Sequence, residues 1–223
     1  WALVKRAMDI LGSLVLILLT SPLMALTAIG VKLSSPGPVI FAQERIGLNK
    51  RPFLMYKFRS MRVNNTSETG WSTASDPRKT PFGAFIRRYS LDELPQLFNV
   101  FRGDMSLVGP RPEIPFFVEQ FRETIPLYMV KNQVRPGITG WAQVNGRNAI
   151  TWEEKFALDV WYVDNLSFAL DVKIVWATAK AVLRREGISA ENSVTMEAFT
   201  GTRQSTEEQE MLHCGCSGKE GNK

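Results

Sequence analysis

Hydrophobic and polar positions are unevenly distributed, because one continuous apolar stretch stands near the start of the chain. Residues 10–31 are 22 positions without a charged side chain, flanked by Lys5 and Arg6 on one side and Lys32 on the other. About 20 apolar residues suffice for a helix to cross a bilayer, whereas a cleaved signal peptide has an apolar core of only about 7–15 residues. The pattern predicts a helical segment that enters a membrane.

Ser21 and Pro22 interrupt this segment close to its centre. Proline lacks the backbone N–H that a helix interior needs and kinks or breaks it. The hydroxyls of Thr20 and Ser21 can bond the carbonyl oxygens that are freed. Three alternatives remain: a spanning helix, a re-entrant hairpin with both cationic ends on one side, and a buried core helix. Cations at both ends suit the hairpin, since Lys and Arg concentrate on the cytoplasmic side.

The rest of the chain shows short periodic stretches that predict an α+β, mostly helical domain. Two apolar segments, Val39–Gln43 and Phe53–Met61, flank a polar turn and are typical of short strands. Apolar residues recur at helical spacing in five stretches, 82–88, 91–101, 115–129, 151–165 and 170–185. Residues 63–80 are interpreted as a polar loop and those from 200 onward as a flexible tail.

Composition narrows the possible chemistry. The 223 residues include 27 Lys and Arg against 22 Asp and Glu, a net charge of +5, and 44% are apolar, which excludes a disordered or collagen-like chain. The only histidine, His213, and the only cysteines, Cys214 and Cys216, lie together in the polar tail. A Ser-His-Asp, Cys-His or His-zinc site in the body is therefore excluded. The tail cluster is interpreted as a loose end rather than a metal site.

The most informative pair of charges is Asp92–Glu93, which follows Ser90, the predicted N-cap of the 91–101 helix. Two adjacent carboxylates repel, so in a dry site one becomes protonated unless a cation neutralises them. Arg87 is one candidate cation. Mg²⁺ is another, because it typically binds one or two carboxylates together with substrate phosphates. The alternative is that both carboxylates only stabilise a helix N-terminus.

Several Pro/Gly-rich turns follow the acidic pair in the sequence, and each contains an arginine. The planar guanidinium group matches phosphate oxygens, and glycine lets backbone amides approach an anion. The candidate substrate-binding residues are Lys57, Arg59, Arg87, Arg111, Arg135, Gln143 and Arg147. With the acidic pair they fit a Mg²⁺–diphosphate site, and the chain has neither a Walker A loop nor a G-x-G-x-x-G motif.

Six motifs together resemble the bacterial sugar transferase family, monotopic phosphoglycosyl transferases that act on polyprenyl phosphate. They are the Lys5-Arg6 start, the Ser21-Pro22 interruption and the segments 56–61, 90–99, 103–112 and 134–147. The resemblance runs from about Lys5 to Gly201. Residues 148–173 are most similar to the subgroup that transfers diacetylbacillosamine phosphate to undecaprenyl phosphate.

The resemblance implies a two-step mechanism and a set of site residues. Asp92 is then the nucleophile that attacks a UDP-sugar, releasing UMP and forming an aspartyl phosphosugar, which polyprenyl phosphate then takes up. Glu93 helps to hold Mg²⁺ or positions Asp92. Lys57, Arg87 and Arg111 match positions near the phosphates, and Arg135 and Arg147 lie in matching turns.

The resemblance also implies an organisation. Residues 1–33 are a re-entrant membrane hairpin broken at Ser21-Pro22, residues 34–200 the catalytic domain with interfacial amphipathic helices, and residues 201–223 the tail. The expected partners are a UDP-sugar, polyprenyl phosphate, membrane lipids and a second copy of the chain, but no nucleic acid. The expected location is the cytoplasmic face of the bacterial inner membrane. The start at Trp1 leaves room for the membrane helices that precede this region in many family members.

Two other functions compete with the transferase. The positive charge suits a membrane-anchored protein that binds acidic lipid or nucleic acid without chemistry. The acidic pair also suits a Mg²⁺-dependent phosphohydrolase that needs no lipid acceptor. Release of UMP that depends on Asp92 and on the lipid separates the transferase from both.

Overall fold

The computed structural model describes residues 2–62, 78–146 and 150–184, so most of the predicted 63–80 loop and the whole 201–223 tail lie outside it. The first element is α1, Ala2–Ser34, a 33-residue helix. It continues through Ser21 and Pro22, so the predicted break does not divide it into two helices. Ser21 Oγ donates to Leu18 O at 2.9 Å, the carbonyl that Pro22 leaves without its helical donor. This local bond confirms the predicted role of the hydroxyl and keeps the helix hydrogen-bonded.

The predicted pair of strands is confirmed. Strand β1, Ile40–Ile46, pairs antiparallel with β2, Pro52–Phe58, in a register that places Ile40 opposite Phe58 and Ile46 opposite Pro52. The turn between them is a short 3-10 segment, Leu48–Lys50. Strand β1 runs three residues past the predicted end, because pairing with β2 supplies its backbone bonds in the polar stretch.

The predicted 91–101 helix is wrong in its first half. Helix α2, Pro81–Arg88, leads into a 3-10 turn, Leu91–Glu93, and only then does α3, Gln96–Arg102, begin. Ser90 has a left-handed backbone, with φ of 55°, and its side chain makes no cap bond. Pro95 has no N–H to donate, so a continuous α-helix through it would lose a backbone bond.

A second small sheet was missed, because its strands are only three residues long. Strand β3, Ser106–Val108, pairs in parallel with β4, Gly137–Thr139. Helix α4, Pro115–Thr124, ends earlier than predicted, since Pro126 disfavours helix in the residue before it. The remaining helices are α5, Trp141–Asn145, α6, Trp152–Asp164, and α7, Phe168–Arg184. The mostly helical α+β class is confirmed.

Helix α1 contacts the rest of the chain near its N-terminus. The Asp9 carboxylate is buried and accepts hydrogen bonds from Ser106 Oγ and from Leu107 N, each at 2.9 Å. Lys5 forms an ion pair with Asp171 of α7. These polar contacts fasten the first turns of α1 to β3 and α7.

Helix α1 contacts the same domain again near its C-terminus. Met24 and Val31 form a core cluster with Phe58 of β2 and Ile86 of α2. Gly30 permits this close approach, because a Cβ there would lie 2.2 Å from the Phe82 ring. Between the two contact regions, no residue from 14 to 23 is buried, and six of these are exposed large apolar side chains, Leu14, Val15, Leu16, Leu18, Leu19 and Leu23.

Candidate active site

The acidic pair, Asp92 and Glu93, lies in the 3-10 turn between α2 and α3. Oε1 of Glu93 accepts two charged hydrogen bonds, from Lys57 Nζ at 2.8 Å and from Arg111 Nη2 at 2.7 Å. Charge-assisted bonds of this length belong to the stronger class of hydrogen bonds. Strand β2, the acidic turn and the segment after β3 therefore meet at Glu93.

Asn99 explains why Lys57 reaches the acidic pair. This buried α3 side chain accepts a hydrogen bond from Tyr56 N at 3.0 Å and donates one to Leu54 O at 2.7 Å. The amide thus bonds the backbone of β2 directly beside Lys57. Because α3 begins three residues after Glu93, this clamp holds β2 against the acidic turn.

The Asp92 carboxylate is buried, with 7% of the residue exposed, and no other described residue donates a hydrogen bond to it. Burial, followed by the charge of Glu93, raises the pKa of Asp92 to about 6. The charges of Lys57, Arg87 and Arg111 act in the opposite direction and lower this pKa. Asp92 is therefore an unpaired carboxylate that is mostly ionised at pH 7.

Glu93 behaves differently. Burial opposes its ionisation, but Arg111 and Lys57 outweigh burial and hold the pKa of Glu93 well below its usual range. Burial lowers the pKa of the Lys57 ammonium group in spite of Glu93, whereas the Glu93 charge raises the pKa of Arg111. The pKa values of the two carboxylates are therefore separated. Glu93 bonds the cations, and the Asp92 carboxylate is available to react. A carboxylate among cations suits attack on a negatively charged electrophile such as a phosphate ester.

Comparison with known proteins identifies the family. The family model of the bacterial sugar transferases matches residues 1–185. The chain belongs to this family. The "Uncharacterized sugar transferase EpsL" of Bacillus subtilis (strain 168) is 48% identical over 204 residues, covering 90% of this chain and 97% of EpsL.

Two longer relatives match the same region. The "UDP-N-acetylgalactosamine-undecaprenyl-phosphate N-acetylgalactosaminephosphotransferase" of Aeromonas hydrophila is 49% identical over 188 residues, which are 82% of this chain and 44% of that protein. The "UDP-glucose:undecaprenyl-phosphate glucose-1-phosphate transferase" of Escherichia coli (strain K12) is 47% identical over 182 residues, 79% of this chain and 39% of that protein. This sugar transferase thus spans nearly all of EpsL but less than half of either longer relative. The narrower resemblance to the diacetylbacillosamine subgroup stays a prediction.

Two of the predicted phosphate-binding arginines of the sugar transferase bond main-chain carbonyls instead. Arg59 is buried and donates to Ser35 O at 2.6 Å and Pro36 O at 2.9 Å, just after α1. Arg135 Nε donates to Gly103 O at 2.9 Å, just after α3. Carbonyls at helix C-termini lack helical donors, and cations there are favourable. Both side chains therefore bond the segments that follow α1 and α3 and do not contact the acidic pair.

The last predicted substrate-binding residues are Gln143 and Arg147. Gln143 Nε2 donates to Ile138 O at 2.9 Å and so supports β4, while its Oε1 is buried without a partner among the described residues. Arg147 lies outside the described residues. Of the six candidates that lie in described residues, Lys57 and Arg111 bond Glu93, and Arg87 acts on Asp92 through its charge.

The acidic pair is also the candidate Mg²⁺ site. Within the described ranges, no group of three or more His, Cys, Asp and Glu side chains is arranged to hold a metal. Mg²⁺ typically takes one or two carboxylates and completes its shell with phosphates and water. The Asp92 carboxylate, which accepts no hydrogen bond from a described residue, could supply one such ligand, whereas Oε1 of Glu93 already accepts from Lys57 and Arg111.

Sequence reasoning missed two charged residues beside Arg111. Arg45 Nη1 donates to Pro112 O at 3.2 Å, and Glu113 is a buried acid two residues after Arg111. The signal for Glu113 was its position directly after the Arg-Pro turn. Arg45 had no such signal, because the predicted β1 ended before it.

Proposed function

We propose that this sugar transferase moves a sugar 1-phosphate from a UDP-sugar to undecaprenyl phosphate and releases UMP. The observation that carries the proposal is the unpaired, buried Asp92 carboxylate beside Glu93, whose charge Lys57 and Arg111 neutralise. Relatives named for glucose and N-acetylgalactosamine transfer to undecaprenyl phosphate support the same class of donor and acceptor.

The reaction proceeds in two displacements. An Asp92 carboxylate oxygen attacks the phosphorus that bears the sugar, and the bond from that phosphorus to the bridging oxygen breaks, so that UMP leaves with the electron pair. An oxygen of the lipid phosphate then attacks the aspartyl phosphosugar, and the Asp92 carboxylate leaves. Lys57 and Arg111 orient the diphosphate, and Arg87 adds positive charge beside Asp92. Asp92 and Glu93 would hold Mg²⁺, which when bound would neutralise charge on the phosphate oxygens.

The lipid acceptor requires a membrane, and α1 suits a re-entrant path on the cytoplasmic face of the inner membrane. This helix is long and apolar enough to cross a membrane by length and composition. Its contacts with one domain near both Asp9 and Val31 favour a re-entrant path, along which α1 stays one helix bent at Pro22, because a spanning helix separates its ends by the bilayer. The exposed apolar residues 14–23 between these contacts suit the buried tip.

Helix α7 supports an interfacial orientation of the domain. Its large exposed apolar side chains are Phe168, Val172, Val175 and Trp176. Such a face on a helix that is ion-paired to the start of α1 suits the plane where headgroups meet acyl chains. The homodimer stays a prediction.

UMP release tests the proposal. The full chain in detergent or nanodiscs is mixed with Mg²⁺, undecaprenyl phosphate and, in parallel, UDP-glucose, UDP-N-acetylgalactosamine or UDP-diacetylbacillosamine. We expect one donor to give UMP, and Asp92→Asn to lose at least about 10³-fold of the rate, since it removes the nucleophile. Full activity of Asp92→Asn contradicts the assignment.

A second measurement separates transfer from hydrolysis. With a donor labelled at the β-phosphorus and no lipid, the parent retains label on the protein, and Asp92→Asn does not. Addition of undecaprenyl phosphate discharges the label to lipid. Continuous release of free sugar 1-phosphate without lipid identifies a phosphohydrolase instead.

A further inference from the structure

Arg111 belongs to a short connection, residues 109–113, which we call the Arg111 strap. Its first residues are bonded to β4, because Gly109 N donates to Thr139 O at 2.8 Å and Gly137 N donates to Pro110 O at 3.0 Å. Gly109 has no side chain at this crossing, and a Cβ there would lie 2.4 Å from Arg135 O. The start of the strap is thus held by backbone contacts.

The end of the strap is held differently. Its backbone bonds β1, since Ile46 N donates to Glu113 O at 3.0 Å. The Glu113 side chain then makes an ion pair with Lys155 of α6, with Lys155 Nζ 2.7 Å from Glu113 Oε1. Arg45 Nη1 lies 3.8 Å from the other carboxylate oxygen. The charge of Glu113 therefore joins the strap to β1 and α6 at once.

This ion pair is buried in an aromatic environment. Glu113 is 8% exposed and Lys155 is 9% exposed, and Lys155 Nζ lies 4.4 Å from the centre of the Trp152 ring. Burial opposes ionisation of Glu113, but the charges of Lys155, Lys131 and Arg45 together outweigh burial and lower the pKa of Glu113 to about 2. A buried ion pair is weak evidence for stability, because desolvation offsets much of its attraction. The important property of this ion pair is its position, because Glu113 is only two residues after Arg111.

We propose that Glu113 and Lys155 are positioning residues, whose ion pair holds the strap so that the Arg111 guanidinium reaches Glu93 and the donor phosphates. The inference rests on the proposed function, since Arg111 acts there on the diphosphate. Loss of the Glu113 charge releases the end of the strap and lets Arg111 move from Glu93. The effect on turnover therefore passes through Arg111.

A matched control lies in the same buried cluster. Lys131 Nζ is 3.2 Å from Asp159 Oδ2, both residues are buried, and neither belongs to the strap. Asp159→Asn replaces this buried carboxylate with an amide of the same size. This variant reproduces the disturbance of the cluster without detaching the strap.

UMP release and thermal melting are measured for the parent, Glu113→Gln, Glu113→Asp and Asp159→Asn. We expect Glu113→Gln to lower kcat at least about 10-fold at 20 °C, well below its melting transition, and to raise KM for the UDP-sugar. We expect Glu113→Asp to recover part of that loss and Asp159→Asn to stay within about two-fold of the parent. Equal losses in Glu113→Gln and Asp159→Asn overturn the positioning role.

A double-mutant cycle gives the second readout. In an Arg111→Ala background, addition of Glu113→Gln should cost less than two-fold, because the residue through which it acts is gone. A multiplicative loss there overturns the inference. A parent that releases no UMP contradicts the proposed function, whereas an active parent with an uncoupled cycle contradicts only the positioning role.

Discussion

At the scale of single residues, the candidate active site contains two adjacent carboxylates in different environments. Glu93 is ionised because two cations bond it, and Asp92 is left without a hydrogen-bonding partner among the described residues. Burying an unpaired charge costs free energy, so a reactive carboxylate of this kind lowers stability while it serves chemistry. The stabilities of an Asp92 variant and a Glu93 variant measure the effect of each carboxylate on folding, independently of catalysis.

Asp92→Asn should be more stable than the parent at pH 7.5 in EDTA. The pKa of Asp92 is about 6 in the folded state against a reference value of 3.8. Stability is therefore lost as pH rises from about 4 to 6, and the full loss is present at pH 7.5. One pKa unit corresponds to about 1.4 kcal/mol, and a gain of about 1–3 kcal/mol follows. As pH falls through 6 toward 4, Asp92 becomes protonated in the folded parent and the difference should vanish. Thermal melts at both pH values measure it; an unchanged difference contradicts the raised pKa.

Glu93→Gln should have the opposite sign at pH 7.5. The substitution removes the charge that Lys57 and Arg111 share, and leaves two half-buried cations without their partner. Breaking a partly buried charged network costs about 1–3 kcal/mol. Melting under the same conditions should therefore place this variant below the parent and below Asp92→Asn. A stabilised Glu93→Gln would show that Glu93 is not the counter-ion of the site.

At the scale of elements, features encoded by neighbouring residues were predicted from the sequence, whereas contacts between residues far apart in the sequence were not. Helix α6 was expected at 151–165 and runs Trp152–Asp164, because its start is encoded locally: Thr151 and Glu154 form a reciprocal capping box. The acidic pair was found from its adjacency. The ion pair of Glu113 with Lys155 joins residues 42 apart in sequence, and no local pattern contains such information. Strands β3 and β4 were too short to show a period.

The link between α1 and β3 should depend on one buried side chain. Asp9 accepts from Ser106 Oγ and Leu107 N, so Asp9→Ala leaves both donors unpaired in a dry interface. We expect a loss of about 1–3 kcal/mol, measured by thermal melting in detergent. Ser13→Ala is the control, since Ser13 is equally buried but bonds only Ile10 O within its own helix. Its loss should be clearly smaller; equal losses would indicate general repacking of α1.

At the scale of the whole molecule, chemistry and membrane association meet in α1. The helix contacts β3 near Asp9 and α2 near Val31, and the acidic turn follows α2 directly. Both contact regions therefore adjoin the elements that build the site. The proposed re-entrant path of α1 would bring the site to the level of a lipid phosphate, whereas a spanning helix would leave one of its two contact regions without its partner.

Cysteine accessibility in membrane vesicles tests this path directly. Cys214 and Cys216 are replaced by Ser, and single cysteines are introduced at exposed positions: Leu3 and Leu33 near the two ends of α1, and Leu19 in its middle. A membrane-impermeant maleimide should label Leu3→Cys and Leu33→Cys from the cytoplasmic side only, because both ends contact one domain.

The middle position provides the internal control. Leu19→Cys should resist labelling from either side until detergent is added, since an apolar tip lies within hydrocarbon. A re-entrant helix and a spanning helix both predict that result, so the end positions decide between them. Labelling of Leu3→Cys and Leu33→Cys from opposite sides requires a spanning helix. It would also require that α1 separate from the domain at Asp9 or at Val31. Separation at Asp9 would leave the Asp9→Ala variant with little loss of stability.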